Sequence, residues 1–459
     1  MKKPLVLIVV LGVIGAAVAG LPYWFGMQAE DAYNAMLAEM TKNGDLTVTN
    51  NNYQRGWLDS TIDTTFTVTG TPITVSVLHR VSHGPLPIED EFEFQPLLAR
   101  IKSEASIGLP AGIMKLPPLT LKTVVYLAGN SHATLTMAAA NSKLPDEGTV
   151  DWKGLTGTLV TSADFKSSKL DLNAPLLSIT GKTGSASFKD IKATSDQTKS
   201  PSGFDVGTLT LGVKNFSADG ATGKTTIDGL SLTTKTDEAG GNLNTSFSLK
   251  FSEAEAAGNK QGAGQIDLQI RKLDVATLVK FRGEMQALRK QKIPQEQASM
   301  MMLGKTLELL GALAKKSPEL EITKLSFKSS EGEISGKAKF VLDGSQLDVS
   351  GNPMLMLRAL SGEGEVSLPE PLVRLLARDD VKRDIEALKK SGKLKKSEIA
   401  KLTPKRIEMI TTQALQDLPQ YRDSVVSRLK LIPDGPNYKI IGLLKNGQVL
   451  VNNEPIQMP

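Results

Sequence analysis

The stretch DLTVTNNNYQRGWLDSTIDTTFTVTG, Asp45 to Gly70, decides the class of this chain. Leu46 and Val48 alternate with polar residues, and Phe66 and Val68 do the same beyond Ile62, which is the period of two that puts every second side chain on one face of a strand. Gly56 lies between the two arms, so NNYQRGWLDS, Asn51 to Ser60, is a hairpin connection or a bulge with Tyr53 and Trp57 available to pack across it. The residue types favour a folding and docking element over an active site. Gly56 supplies either a positive φ or a close approach that a side chain would block. Arg55 and Trp57 then form a stacked, hydrogen-bonded lid on the turn.

The same alternation dominates the middle of the chain. From Gly154 to Asp274 short segments such as GTLVTSADF, SKLDLNAP, TLTLGVKNFSADG, TTIDGLSLTTKT and TSFSLKF recur between Gly, Asn, Asp and Ser clusters, the signature of antiparallel strands. FKDIKATS from Phe188 echoes IDGLSLTT from Ile227, an offset of 39 residues. Two copies suggest repetition without making a solenoid. Three helical regions interrupt the strands. LDVATLVKFRGEMQALRK has Asp274 placed to cap and a stripe of Leu278, Phe281, Met285 and Leu288, with Pro294 as the break before the next helix. PQEQASMMMLGKTLELLGALAKK aligns Leu303, Leu307 and Leu310, and its Met300–Met302 run reads as core or a helix-pair seam rather than a soft ligand site. Strand pattern returns at KLSFKSSEGEISGKAKFVLDG. A last helical region follows, with Thr403 and Pro404 as cap and first-turn proline, and Asn446-Gly447 marks a closing hairpin.

Composition narrows the chemistry. The chain has 459 residues, no cysteine, 5% aromatics and a net charge of +5 from 54 basic and 49 acidic side chains. Disulfides, thiolate nucleophiles and zinc-thiolate sites are therefore excluded, and the mild basic excess is not a nucleic-acid footprint. The start, MKKPLVLIVVLGVIGAAVAGLPYWFG, sets Lys2 and Lys3 before an uncharged run from Leu5 to Leu21 and then Tyr23, Trp24 and Phe25. A secretory signal would cleave at Ala17-Val18-Ala19, whereas the aromatic cluster suits a retained anchor leaving the bilayer. Either way the lysines stay cytoplasmic and the body crosses the membrane. MQAEDAYNAMLAEMTK, with Tyr33, Met36, Leu37 and Met40 at helical spacing, then predicts an amphipathic helix beside the bilayer.

Three markers give the chain a resemblance. Tyr53, Arg55, Gly56 and Ser60, the SHGPLP element with His83, Gly84, Pro85 and Pro87, and the closing YKIIGLLKNGQVLVNNEPI resemble the YdgA-like family of bacterial envelope proteins of unknown function. The resemblance implies an inner-membrane anchor, a periplasmic body and no catalytic residues to carry over.

No reaction chemistry emerges beside it. His79 and His83 share a strand face roughly 13 Å apart at about 3.3 Å per residue, too far for one metal, and His83 reads as a turn histidine bonded to nearby backbone. No Gly-x-Ser-x-Gly elbow is present, and GEGE at Gly362 and GNKQGAG at Gly258 read as turns rather than phosphate cradles. Val381 to Arg406 holds ten Lys or Arg against three acids. It is either a contact for anionic head groups, with Lys389, Lys390, Lys395 and Lys396 as the contact residues, or a solvated helix face over Ile385, Leu388, Ile399 and Leu402.

The expectation is a mainly β, α+β protein. An anchor or signal occupies 1–25, a helix and β region 26–150, an antiparallel β region 151–272, a helical hairpin 273–318, a β region 319–368, a helical basic region 369–430 and a β-hairpin 431–459. Function is expected to be non-catalytic, without cofactor or nucleic acid. One reading is lipid or apolar-ligand binding on a concave sheet face covered by the helices between Leu273 and Lys316. The other is a scaffold that self-associates or binds envelope partners. The expected location is the bacterial inner membrane, single-pass, with the body periplasmic.

Overall fold

A computed structural model describes residues 3–41, 46–85, 87, 96–108, 116–144, 148–221, 223–290, 295–344, 358–390, 402–417 and 420–456, with the side chains of 3–20, 39, 289–290, 295–296, 298 and 415–417 outside that set. The chain divides into two units, Met1–Glu238 with Val279–Met302, and Ala239–Leu278 with Leu303–Pro459. Mainly antiparallel β-sheet with six helices among the described residues makes the class α+β.

The first unit begins with α1 (Lys3–Thr41), one continuous 39-residue helix that merges the expected anchor and amphipathic helix. Among the described residues no helix is long and apolar enough to cross a membrane. The side chains of the apolar run, up to residue 20, lie outside the described set. Strands β1 (Leu46–Arg55), β2 (Asp59–Val68), β3 (Thr74–His83), β4 (Leu97–Gly108), β5 (Leu119–Tyr126) and β6 (Ser131–Met137) follow as an antiparallel meander. A small hairpin, β7 (Ala140–Lys143) and β8 (Thr149–Trp152), is passed over, and β6 pairs β9 (Leu155–Thr161). The long strands β10 (Ser167–Gly181), β11 (Gly184–Lys199), β12 (Asp205–Gly220) and β13 (Gly223–Ala239) complete it. Tyr33 and Leu37 of α1 bury against Ile62, Phe66, Val81 and Ala99, so the helix stripe covers the inward face of the alternating strands. Met40, expected on that stripe, is exposed.

Apolar residues in β10–β13 change phase at one line. They run Leu170, Leu172, Ala174 and then Leu177; Phe188 and then Ile191, Ala193; Leu209, Leu211, Val213 and then Phe216; Ile227 and then Leu230, Leu232. On β11, β12 and β13 the step of two becomes a step of three beside Asp190, Lys214 or Gly229, while on β10 both Leu176 and Leu177 follow Pro175; these four are the residues the ladders skip. Asp190 and Gly229 are left-handed there, with φ of 49° and 63°. A left-handed residue in phase on alternate strands reverses the pleat without changing register, so both apolar sets stay on one face. Phe188 and Phe216 accordingly meet with centroids 5.0 Å apart. The echo of 39 residues superposes Asp190 on Gly229, so what repeats is this kink in every second strand.

In the second unit β14 (Asn242–Phe251), with the β15 (Glu253–Ala256) and β16 (Asn259–Gln261) hairpin, pairs β17 (Gly264–Asp274). The order continues through β18 (Glu319–Ser329), β19 (Gly332–Leu342), β20 (Leu360–Pro369), β22 (Asn437–Lys445), flanked by β21 (Ile432–Asp434), then β23 (Gln448–Val451) and β24 (Glu454–Ile456). Asp274 caps α2 (Val275–Lys290), accepting from the Thr277 N–H at 2.8 Å, and α3 (Gln295–Ala314) follows; Val279–Met302 of these two helices belongs to the first unit. The α3 stripe is corrected. Leu303 and Met300 are 63% and 73% exposed, and Leu313 and Ala314 are the buried apolar side chains, so the methionine run is surface rather than core. The later helices are α4 (Glu370–Lys390), α5 (Pro404–Asp417) and α6 (Gln420–Arg428). Val373 and Ala377 of α4 pack with Val425 of α6 and Leu431 over Tyr438 and Ile440 of β22.

Two turn readings change. GEGE lies inside β20, where Gly362 and Gly364 leave room for Phe340 and Ala338 on β19, so it is strand and not turn. Asn446-Gly447 forms the expected turn with both residues left-handed (φ 54° and 76°). Asn452-Asn453 repeats it (φ 50° and 67°), so the closing segment holds a second turn in place of a single hairpin.

Candidate functional site

The motif residues converge on one segment of α1. Tyr53 and Arg55 end β1, Gly56–Leu58 form the turn, Ser60 opens β2, and His83 ends β3. Because β2 lies between β1 and β3, the register sets Arg55 opposite Ser60 and Ser60 opposite Val81, and both outer strands reach the helix at the same end. His83 is 2% exposed, and its Nε2 lies 2.9 Å from the Oγ of Ser60, also 2% exposed. Its Nδ1 lies 3.4 Å from the Trp57 carbonyl, which only accepts, so Nδ1 carries the hydrogen and the serine hydroxyl donates to Nε2. Burial pulls the imidazole below its ordinary pKa, partly offset by the Trp57 carbonyl. The other edge of the ring meets the helix at buried Gly26, where a Cβ would lie 2.5 Å from Cε1.

Arg55 extends the docking. Its Nη1 donates to Glu30 of α1 at 2.7 Å, and its guanidinium lies 5.0 Å from the Tyr23 ring centroid, while Tyr23 packs on Trp57 at 5.1 Å. The expected lid over the turn is corrected. Arg55 has a carboxylate on the helix within reach, and a charge-assisted bond there outweighs neutral carbonyls of its own turn. Further along α1, the Tyr33 and Thr64 hydroxyls are 2.5 Å apart, with Thr64 donating to Asn51 Oδ1 at 3.2 Å. His79 bonds Ser103 at 2.7 Å and lies edge-on to Tyr33, and burial lowers its pKa as well. Tyr53 packs 5.9 Å from Tyr33, not across the turn to Trp57. Asn51, Thr64, Gly26 and Glu30 belong to this cluster, and no spacing in the sequence singled them out.

Gly56 is not left-handed. Its N–H donates to the Asp59 carbonyl at 2.7 Å, and a Cβ would lie 2.9 Å from that same oxygen, so the close approach is its reason. Gly56→Val should therefore destabilise the protein by more than the roughly 1 kcal/mol of an ordinary strand glycine, and Arg55→Lys should cost only part of what Arg55→Ala costs. Thermal denaturation of the full chain tests both; a Gly56→Val protein that melts like the parent overturns the steric reading.

In the second motif the Gly84–Pro85 peptide is cis. Gly84 N–H donates to Leu98 O at 2.7 Å and Leu97 N–H to Pro85 O at 3.0 Å, tying the end of β3 to the start of β4. Pro87 is buried.

The Ser60–His83 contact has the length of a nucleophile–base hydrogen bond. At 2% exposure, with the ring pressed on Gly26, neither side chain is open to a substrate atom as the geometry stands. Among the described residues no group of three His, Asp or Glu could hold a metal. Glu319, hydrogen-bonded by Lys272 and near Arg271 and Lys339, has its carboxyl held down at about 2; it joins β17, β18 and β19 as a structural ion cluster.

In the basic region, Lys389 pairs with Glu386 at 2.6 Å, Lys382 pairs with Glu408 at 3.3 Å, and Lys390 is exposed. Ile385 is buried and Leu388 exposed, while Lys395, Lys396 and Ile399 lie outside the described residues.

A different surface stands out on the long strands. Directly paired residues form two apolar rows on one face, Leu135–Gly157–Leu172–Ala193–Leu211–Leu232 and Ala133–Leu159–Leu170–Ser195–Leu209–Thr234, from β6 to β13. Leu135 and Ala133 are buried at one end; at the other Leu209, Leu211 and Leu232 are 42%, 43% and 38% exposed, so the face expected to be covered is open there. Beside the paired Met137 and Leu155 lies a cavity of 430 Å³, with Lys153, Gly154 and Pro175 also in its wall.

No curated protein and no solved structure matches the chain. A family model does, over residues 1–459, and with it the chain belongs to the bacterial family of proteins of unknown function DUF945.

Proposed function

We propose that this DUF945 protein is a YdgA-like, non-catalytic platform of the bacterial envelope. Residues 5–21 of α1 hold it in the inner membrane with the N-terminus cytoplasmic, and the periplasmic body binds lipid or another apolar ligand. The observation that carries the reading is the pair of leucine rows. The rows cross six adjacent strands, about 24 Å at roughly 4.8 Å per gap, the length scale of an acyl chain, and at their β12–β13 end Leu209, Leu211 and Leu232 form an exposed apolar group that is costly to leave in water. The 430 Å³ cavity at the Met137–Leu155 end falls within the range of small-ligand sites, and Lys153 in its wall, paired with Asp151 at 3.0 Å, is the cation that an anionic head group would have to share.

Native mass spectrometry of detergent-extracted protein tests this. The parent should carry apolar adducts, and Leu209→Lys with Leu211→Lys should lose them at unchanged melting temperature, since both positions are already exposed. A parent free of adducts defeats the ligand reading. A stable lipid-free oligomer would instead favour a scaffold, for which the exposed Met300 and Met301 on α3 are the self-association surface.

A further inference from the structure

α1 continues as one helix from the apolar run into the docked half, with Pro22 inside it, so the height above the bilayer of residues within a turn of the run's end follows from the helical rise. The run ends at Leu21. Two residues later, about 3 Å along the axis at 1.5 Å per residue, Tyr23 stacks on Trp57 of the β1–β2 turn. That turn exposes large apolar side chains, with Trp57 at 55% and Leu58 at 53%, and so does the end of the run on α1, with Trp24 at 48% and Leu21 at 38%. Arg55, bonded to Glu30 and lying over Tyr23, bolts the turn to the helix at this height.

We propose that the β1–β2 turn is a second membrane contact, in which Trp57 and Leu58 enter the interface of the same bilayer that holds α1. The occupant follows from continuity with the apolar run. Tryptophan beside a short apolar residue suits the headgroup level, where the ring is half in hydrocarbon and its N–H stays wet. The body then rests on the membrane at two points, which fixes its tilt as well as its distance. This rests on the anchor reading above.

The chain has three tryptophans, Trp24, Trp57 and Trp152, so each can be observed alone. Full-length protein keeping only Trp57 (Trp24→Phe, Trp152→Phe) or only Trp24 (Trp57→Phe, Trp152→Phe) is reconstituted into phosphatidylcholine–phosphatidylglycerol vesicles containing lipid brominated near the top of the acyl chain. Both should lose a comparable fraction of their emission, and Trp57 should be shielded from aqueous iodide relative to its detergent-free soluble reference, N-acetyl-tryptophanamide. Quenching of Trp24 without quenching or shielding of Trp57 overturns the second contact and leaves the anchor standing. Quenching of neither overturns the anchor, and this proposal with it. Phenylalanine retains the aromatic packing, and matching melting curves confirm that the variants are folded.

Discussion

Gly26→Ala should lower the stability of the protein, although helix propensity alone argues for the opposite sign. In an open helix, alanine in place of glycine stabilises by about 0.5–1 kcal/mol. At position 26 the new Cβ would lie 2.5 Å from His83 Cε1 and 2.7 Å from Nδ1. The ring has little room to yield, since Ser60 holds its far nitrogen and the site is 2% exposed. Overpacking of this kind costs about 1–3 kcal/mol, which outweighs the propensity gain. The double variant Gly26→Ala, His83→Ala should therefore lose less than the two single losses added together, because removing the ring empties the space the methyl needs. Denaturant unfolding of the full chain in detergent reads all four corners of the cycle. A Gly26→Ala protein more stable than the parent would mean that the helix does not dock against His83.

Gly84→Val should be more damaging still, with a loss of about 3–5 kcal/mol that combines overpacking with two broken backbone hydrogen bonds. A Cβ at this position would fall on the Leu97 carbonyl oxygen and 2.8 Å from that of Leu98. Both obstacles are backbone, so no rotamer change relieves them. Strands β3 and β4 would have to separate where Gly84 and Leu97 exchange bonds with Leu98 and Pro85, and Leu97, fully buried, would move with them. The yield of folded protein and its melting temperature check this. A Gly84→Val chain that folds and melts like the parent would overturn the packing account of the His-Gly-Pro element.

Much of the architecture was legible from local signals. Alternation in Asp45–Gly70 and Gly154–Asp274 announced antiparallel strands, Asp274 and Thr403 marked helix starts, and Asn446-Gly447 marked a turn, because each depends on the conformational preference of a few neighbouring residues. The helical stripe of Tyr33 and Leu37 was equally readable. The stripe of Leu303 and Leu310 was misleading, since periodicity states which residues share a face and not whether anything covers it.

What the sequence by itself determined is the mainly β, α+β class, the absence of thiol chemistry, and the grouping of Tyr53, Arg55, Gly56, Ser60, His83 and Gly84 as marked positions. Tertiary structure alone decided what those positions do. Ser60 and His83 are 23 residues apart and meet because β2 and β3 pair; Arg55 finds Glu30 rather than its own turn because α1 crosses the strand ends. The in-phase kink at Pro175, Asp190, Lys214 and Gly229 is likewise a property of the assembled sheet, visible in the chain only as a step of three on β11, β12 and β13 where two was expected. Local propensity is written residue by residue, whereas register and close approach depend on which distant segments share a surface.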